Sequence, residues 1–109
     1  MILSAHSVLK NIEWHTLINR KDGVLGIAFV KKGYIANLHR HFPDETYMFV
    51  HGYGDLNING AHSYPFSPHV VQIPGNVLHS MTPKSSYVVL LYMFKTGPFE
   101  SIVYEFNNE

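Results

Sequence analysis

Short apolar runs separated by turn-forming residues make up most of the chain. Valine, isoleucine, tyrosine and phenylalanine dominate these runs, and glycine, proline, asparagine or aspartate recurs between them. Short runs of β-branched and aromatic residues between close turn signals are typical of strands in all-β folds. No segment keeps a 3.6-residue apolar period over a helix-length window, so we expect little helix. The pattern predicts an all-β protein built as a single antiparallel β-barrel.

Three stretches predict tight turns between these strands. Asn59–Gly60 suits a two-residue hairpin turn because both residues tolerate a positive φ angle. Asp22–Gly23 could form a second hairpin of the same kind. Asn76 suits a third turn, since asparagine is the commonest non-glycine residue at positive φ. The strands are therefore expected to follow one another through short connections.

Length and composition limit the classes of protein that fit. The 109 residues allow one core and therefore one domain over residues 1–109, with residues 1–20 as an N-terminal strand segment. Eight basic residues balance eight acidic ones, so there is no basic stripe for nucleic acid. No apolar stretch approaches the ~20 residues of a membrane span, and no secretory leader is recognisable. We expect a cytoplasmic protein without nucleic-acid or membrane partners.

Histidine is unusually frequent, with 8 residues, while cysteine is absent. His39 and His41 lie two positions apart on a predicted strand and therefore project from the same face. Pro43 can turn the chain, and Glu45 then opens the next strand. His79, after a turn further along, is the candidate for a fourth donor. Three imidazoles and one carboxylate suit one divalent Fe, Mn, Ni, Co, Cu or Zn ion.

Other polar residues could support such a site. A ligating histidine normally donates its second ring N–H to an acceptor, and Asn37, Gln72 and Tyr47 are possible partners. His51 shares the strand face of Glu45 and is a candidate catalytic residue that lines the pocket. The remaining histidines are expected at the surface: His6, His15, His62 and His69.

The spacing of these residues carries a family resemblance. The pattern G-x5-H-x-H-x3-E-x6-G, from Gly33 to Gly52, resembles the first motif of the cupin superfamily. The stretch PGNVLH, which ends at His79, is similar to the second motif, P-x-G-x-x-H, with Asn76 in place of the glycine. The resemblance spans residues 33–81 and implies a small jelly-roll barrel that binds a metal. The family's four ligands would then be His39, His41, Glu45 and His79.

The resemblance also implies a range of functions. Cupins that ketonise unsaturated uronates are similar in size and layout, and they carry an acid where this chain has Tyr92, two residues before the matching Phe94. A metal-dependent enzyme is therefore expected, acting without oxygen on a small hydroxy acid, keto acid or sugar derivative, with Tyr92 as candidate proton donor. An Fe(II) dioxygenase is one alternative. A module that binds a metal or small ligand without turnover is another, because few acids fall inside the predicted strands.

Two predicted strands are apolar on both faces, and the interior of one small barrel could not bury both faces. They are VLGIAFV, residues 24–30, and YVVLLYMF, residues 87–94. Exposed apolar strand surface commonly marks an interface between proteins. We therefore expect a homodimer with two-fold symmetry, to which the N-terminal strands could contribute.

Overall fold

The computed structural model describes residues 2–3 and 12–106, and in this part the chain is almost entirely β-structure. The strands are β1 (Ile2–Leu3), β2 (Glu13–Arg20), β3 (Gly23–Lys31), β4 (Ala36–Arg40), β5 (Glu45–His51), β6 (Gly54–Ile58), β7 (Ala61–Ser63), β8 (His69–Ile73), β9 (His79–Pro83), β10 (Tyr87–Phe94) and β11 (Tyr104–Phe106). A 3-10 turn, η1 (Phe99–Ser101), precedes β11. Among these residues no helix has the length and apolarity needed to cross a bilayer.

Two antiparallel sheets form the architecture. The larger sheet has the strand order β1-β11-β4-β9-β6-β7, and the smaller has the order β2-β3-β10-β5-β8. Side chains from both sheets meet in one core. The prediction of an all-β fold of the jelly-roll type is confirmed. Within the described residues no strand of one sheet pairs with a strand of the other, so the barrel is not fully closed.

The alternation of side chains along β3 and β10 separates the core from the outside. Val24, Ala28 and Val30 of β3 are buried, and the residues between them are only partly covered. The outward residue Ile27 of β3 pairs with the outward residue Leu91 of β10, so outward apolar side chains of neighbouring strands lie side by side. The outward apolar residues on four neighbouring strands, here called the outer apolar face, are Leu25, Ile27, Phe29, Met48, Val70, Val89, Leu91 and Met93.

The predicted turns can be compared with the backbone. Asn59 and Gly60 have φ angles of 53° and 86° and connect β6 to β7, as expected for this hairpin. Asn76 also has a positive φ angle, 63°. The β2–β3 hairpin forms, but Gly23 already pairs with Arg20. Its two turn residues are therefore numbers 21 and 22, one position earlier than predicted.

Two connections between the sheets position the candidate site. The chain passes from β4 in the larger sheet to β5 in the smaller one, and returns from β8 to β9. The loops touch where the Asn76 N–H donates to the carbonyl of His41 at 2.7 Å. Beside it, the Gly75 N–H donates to the Asp44 carboxylate at 2.6 Å. These bonds hold the two loops together, so residues from both motifs face the same part of the interior.

Candidate metal centre

The four predicted ligands converge at the inner ends of these connections. His39, His41 and Glu45 are each 2% exposed, and His79 is 0% exposed. One potential ligand atom from each side chain lies within 4.8 Å of the corresponding atoms of the others. His39 and His79 are direct partners across β4 and β9, which accounts for their proximity. We call these four residues the four-donor group.

Backbone carbonyls fix the orientation of all three imidazoles. Nδ1 of His39 lies 2.5 Å from the carbonyl oxygen of Asn37. Nδ1 of His41 lies 3.0 Å from the carbonyl of Pro43, and Nδ1 of His79 lies 2.9 Å from that of Val77. Because a carbonyl only accepts, each Nδ1 must carry the hydrogen. In the neutral rings Nε2 is then the atom that can bind a cation.

The side-chain acceptors predicted for these histidines are not the ones used. Asn37 contributes its backbone carbonyl rather than its amide group. Gln72 instead accepts a hydrogen bond from Thr46 at 2.9 Å on the outside of the sheet. A peptide carbonyl two residues from the imidazole is closer than any side chain across the sheet, so local geometry selects the backbone.

A buried ion pair joins two members of the four-donor group. Nε2 of His41 lies 3.0 Å from Oε1 of Glu45. Burial lowers the pKa of His41, but the hydrogen bond and the negative charge of Glu45 outweigh it and raise that pKa overall. Burial raises the pKa of Glu45, but the hydrogen bond from His41 and the nearby His79 lower it to about 2. When no cation is bound, a proton on His41 therefore balances the carboxylate.

The other two histidines present bare nitrogen atoms to the same point. Burial and the neighbouring His79 lower the pKa of His39 to about 3, so this ring is neutral. Nε2 of His79 lies 3.3 Å from Glu45 but is not aligned for a hydrogen bond, and it has no hydrogen-bond partner. An unsatisfied buried polar atom costs roughly 1–3 kcal/mol. Unpaired nitrogens beside a carboxylate fit a divalent transition-metal ion, which would satisfy all of them.

A cavity of about 50 Å³ borders the four-donor group. His39 and Glu45 form its polar end. The rest of its lining combines six aliphatic residues with five aromatic ones, which are Trp14, Tyr47, Tyr92, Phe99 and Tyr104. No lysine or arginine lines the cavity within the described part of the chain. Since one water needs roughly 10–15 Å³ by the same measure, the cavity admits only a small ligand.

Three tyrosines from different strands reach this cavity. Tyr47 follows Glu45 by two positions on β5, and burial together with that carboxylate raises its pKa well above 10. Tyr104 of β11 stacks on the His39 ring, with centroids 5.2 Å apart. Tyr92, the predicted proton donor, also lines the cavity, with its ring over Gly26 of β3 and its hydroxyl 3.5 Å from that of Thr16. Burial raises the pKa of Tyr92 as well.

Sequence reasoning missed two of these tyrosines as site residues. Tyr47 appeared only as a possible acceptor, although the strand alternation that groups it with Glu45 would have found it. Tyr104 is more than fifty positions from Glu45 in sequence, and no local signal marks it. It reaches the site because β11 pairs with β4, where Phe106 lies opposite His39.

The structure does not bring His51 to the cavity. Its side chain is exposed at the end of β5, where the residue pairs with Val89. A register shift beside Val89 places His51 opposite this outward-facing residue, so His51 does not share the inner face of Glu45. Six residues of extended chain also separate the two by about 20 Å. The candidate catalytic role of His51 therefore has no support in its position.

The chain is similar in sequence and in fold to several known proteins. No protein-family model matches the sequence. The chain is 33% identical over 100 residues to dimethylsulfoniopropionate lyase DddW of Ruegeria pomeroyi, a match that covers 87% of this chain and 66% of that protein. It shares its fold with a cupin superfamily protein of Desulfitobacterium hafniense, with a TM-score of 0.73, 13% identity, and 79% and 78% of the two chains covered. The chain belongs to the cupin superfamily.

This cupin also resembles larger enzymes of known structure. Its fold matches that of a dimethylsulfoniopropionate lyase with a TM-score of 0.78 and 16% identity over 94% of this chain and 55% of the other. It matches salicylate 1,2-dioxygenase of Pseudoaminobacter salicylatoxidans in complex with gentisate with a TM-score of 0.80, at 10% identity over 92% and 30% of the two chains. At these identities the likeness is one of fold. The chain spans about two thirds of the curated relative and less of these two enzymes.

Proposed function

We propose that this cupin is a metal-dependent lyase that cleaves dimethylsulfoniopropionate, or a close analogue, by β-elimination. The observation that carries the proposal is the position of Tyr47, a buried hydroxyl group beside Glu45 at the edge of the four-donor group. The site therefore has a proton-transfer group in addition to its candidate ligands. The similarity to a lyase of this type supports the same substrate class.

The four-donor group and Tyr47 have distinct roles in this reaction. His39, His41, Glu45 and His79 would hold a divalent cation, whose charge would polarise the substrate carboxylate and favour ionisation of the Tyr47 phenol. Tyr47, after losing its phenol proton to solvent, is a phenolate and removes a proton from the carbon next to the carboxylate. The electrons of that C–H bond form the new C=C bond while the C–S bond breaks. Dimethyl sulfide leaves with the electron pair, acrylate is the second product, and the proton remains on Tyr47 until solvent removes it.

The size of the cavity narrows the range of substrates. About 50 Å³ accommodates a short acyclic acid more readily than a sugar ring or an aromatic ring. This disfavours the uronate derivatives considered from the sequence. It also disfavours an aromatic acid such as gentisate, which the structurally similar dioxygenase binds.

Product analysis of the metal-loaded protein tests the proposal. The six candidate divalent ions are supplied in turn, and dimethyl sulfide and acrylate are measured in air and under nitrogen. We expect equal amounts of both products in either atmosphere. Tyr47→Phe should retain its metal and lose about 10²–10⁴-fold in rate, as expected for loss of a general base. Tyr64→Phe is the matched control, since Tyr64 is 62% exposed and distant from the cavity lining.

Two other results would replace this proposal with the alternatives. Oxygen consumption coupled to turnover would indicate an Fe(II) dioxygenase. Binding of the substrate without product for any of the ions would indicate a module that holds a metal or small ligand without catalysis. Full activity of Tyr47→Phe would remove Tyr47 from the mechanism.

We also propose that two copies associate through the outer apolar face. None of its eight residues is charged, and Ile27, Leu91, Met48 and Val70 form one row across four hydrogen-bonded strands. A stable interface of this kind buries about 1,600 Å² in total. Sedimentation should show a dimer at micromolar concentration and a monomer for Leu91→Lys, whereas a wild-type monomer would contradict the proposal. The cytoplasmic location stays a prediction.

A further inference from the structure

We infer that the end of the cavity opposite the four-donor group is a subsite for a methylated onium group, formed by Trp14, Tyr92 and Phe99. This inference rests on the proposed function, because it assigns the second end of the same small carboxylate substrate. The carboxylate would lie at the polar end, beside His39 and Glu45. The positively charged end would lie against the three aromatic rings.

The three rings form one continuous surface, which we call the aromatic wall. The ring centroids of Trp14 and Phe99 are 5.1 Å apart, and those of Tyr92 and Phe99 are 5.9 Å apart. Trp14 and Tyr92 complete the set at 6.5 Å in an edge-to-face arrangement. All three side chains line the cavity. A ligand that enters this end therefore contacts several rings at once.

Specific backbone contacts hold two of these rings in place. Tyr92 lies against the backbone of β3, where a Cβ atom on Gly26 would be 2.0 Å from Cζ of Tyr92. Phe99 is fixed through Asn19, whose Oδ1 accepts the Phe99 N–H at 2.7 Å. The Asn19 amide also donates to Glu100 at 2.9 Å and 3.1 Å. The wall is thus attached to β2 and β3 and does not depend on a ligand for its shape.

Charge distinguishes an onium group from a neutral group of the same size. The face of an aromatic ring attracts a cation lying within about 6 Å of its centroid, most strongly when water is excluded. No basic side chain lines this cavity within the described residues, and Glu45, its one carboxylate there, lies on β5, which β3 and β10 separate from Trp14 on β2. A hydrophobic group would also fit the wall by shape. A methylated cation adds an electrostatic attraction to that fit.

A pair of isosteric ligands separates charge from shape. The first probe is 3-(trimethylammonio)propanoate, and the second is 4,4-dimethylpentanoate, which replaces the cationic nitrogen with carbon. Calorimetric titration into the metal-loaded protein should show that the cationic probe binds about 5- to 30-fold more tightly. Both carry the same carboxylate, so the ratio of their dissociation constants reports on the far end of the cavity alone.

Variants of the aromatic wall test which residues produce the preference. Trp14→Leu and Tyr92→Leu should each lower the ratio towards one while the neutral probe keeps nearly the same affinity. Trp14→Tyr should retain part of the preference, because it keeps an aromatic face. Thermal unfolding and metal content confirm that each variant is folded. If Trp14→Leu fails to fold, the affinity ratios of Tyr92→Leu and Trp14→Tyr still test the inference.

Each result decides either for or against the subsite. Equal affinities of the two probes in the wild-type protein would overturn the inference, and so would failure of both to bind at millimolar concentration. A preference that persists in all the folded variants would also overturn it. If the cationic probe is preferred but dimethylsulfoniopropionate is not cleaved, the subsite stands and the lyase proposal fails. Cleavage without a charge preference would give the reverse result.

Discussion

The two ends of the cavity are built from opposite kinds of residue. One end is bordered by His39 and Glu45 of the four-donor group, whose three imidazoles are oriented by hydrogen bonds to backbone carbonyls. The other end is a wall of aromatic rings set by packing against β2 and β3. Three of the four donors lie near strand ends beside the connections between the sheets, and His41 lies in the β4–β5 connection, whereas the aromatic end comes from β2, β10 and η1. The two ends can therefore be altered separately.

This difference indicates how one small cavity could bind a zwitterion. Buried charges need paired groups, so the polar end has a fixed arrangement of donors and acceptors. The aromatic end offers a weaker and less directional attraction that depends on area and charge. Substitutions at the polar end should change metal binding and chemistry together. Substitutions at the aromatic end should change substrate affinity and leave the metal in place.

The largest effect is expected at the centre of the polar end. His41→Ala should lose stoichiometric metal and all measurable lyase activity, because it removes one candidate ligand and leaves Glu45 without its partner. Metal at 1,000 times its dissociation constant stabilises a folded protein by about 4 kcal/mol, and this gain should disappear. Elemental analysis and thermal unfolding with and without metal measure both changes.

A histidine outside the cavity provides the control for this variant. His62→Ala removes an exposed ring paired with Asp55 and should leave metal content unchanged. Full metal stoichiometry in His41→Ala would show that the ligand assignment is wrong.

The stabilities of the metal-free and metal-loaded forms should depend on pH in different ways. Without metal, the raised pKa of His41 gives a stabilising ion pair that is present below pH 6.5 and is lost as the pH rises through that raised pKa. Metal binding must displace the same proton, so affinity should increase with pH by up to about tenfold per unit while that proton is released. The difference in melting temperature between the loaded and metal-free forms should widen from pH 5 to pH 8. A constant difference would contradict displacement of a proton from His41.

Gly26→Ala should affect the aromatic end alone. The added methyl group would meet the Tyr92 ring, which must move away from β3. We expect a loss of about 1–3 kcal/mol in the free energy of unfolding from overpacking and a higher KM with unchanged metal content.

Gly23→Ala on the same strand is the matched control for this change. There a Cβ atom meets only the Phe94 carbonyl at an ordinary 3.4 Å. Loss of metal from Gly26→Ala would show that the two ends are coupled.

The smallest effect is expected where the two loops join. Asp44→Ala removes the acceptor for the Gly75 N–H and should lower the free energy of unfolding by about 1 kcal/mol. Metal affinity should fall several-fold, because the bond helps hold His41 near His79. Asp44→Asn keeps an acceptor oxygen and should behave much more like the wild type in denaturant titration and metal binding. Equal losses in both variants would assign the effect to charge rather than to the bond.

Local sequence signals were sufficient for most of the polar end. Strand geometry predicts that His39 and His41 share one face. It also predicts that Glu45 opens the next strand after a turn at Pro43. The positive φ angle of Asn76 was also predictable. His51 shows the limit of such reasoning, since a register shift between β5 and β10 breaks the alternation that predicted its face.

The aromatic end could not be predicted in the same way. Phe99 reaches the cavity through η1 and its bond to Asn19, which lies 80 positions away in the sequence. Trp14 and Tyr92 come together because β2 and β10 both pair with β3. Such contacts depend on the long-range order of strands, for which a single sequence carries no local pattern.

The three imidazole–carbonyl hydrogen bonds have a consequence for how the protein acquires its ion. Since each ring already has its tautomer and direction set by the peptide backbone, loading requires no rotation of a side chain, only the departure of a proton. The chain can complete its folding first and bind its metal ion afterwards. Because nitrogen and oxygen donors of this kind accept several first-row ions, the ion in each molecule would follow cellular supply at the time of loading.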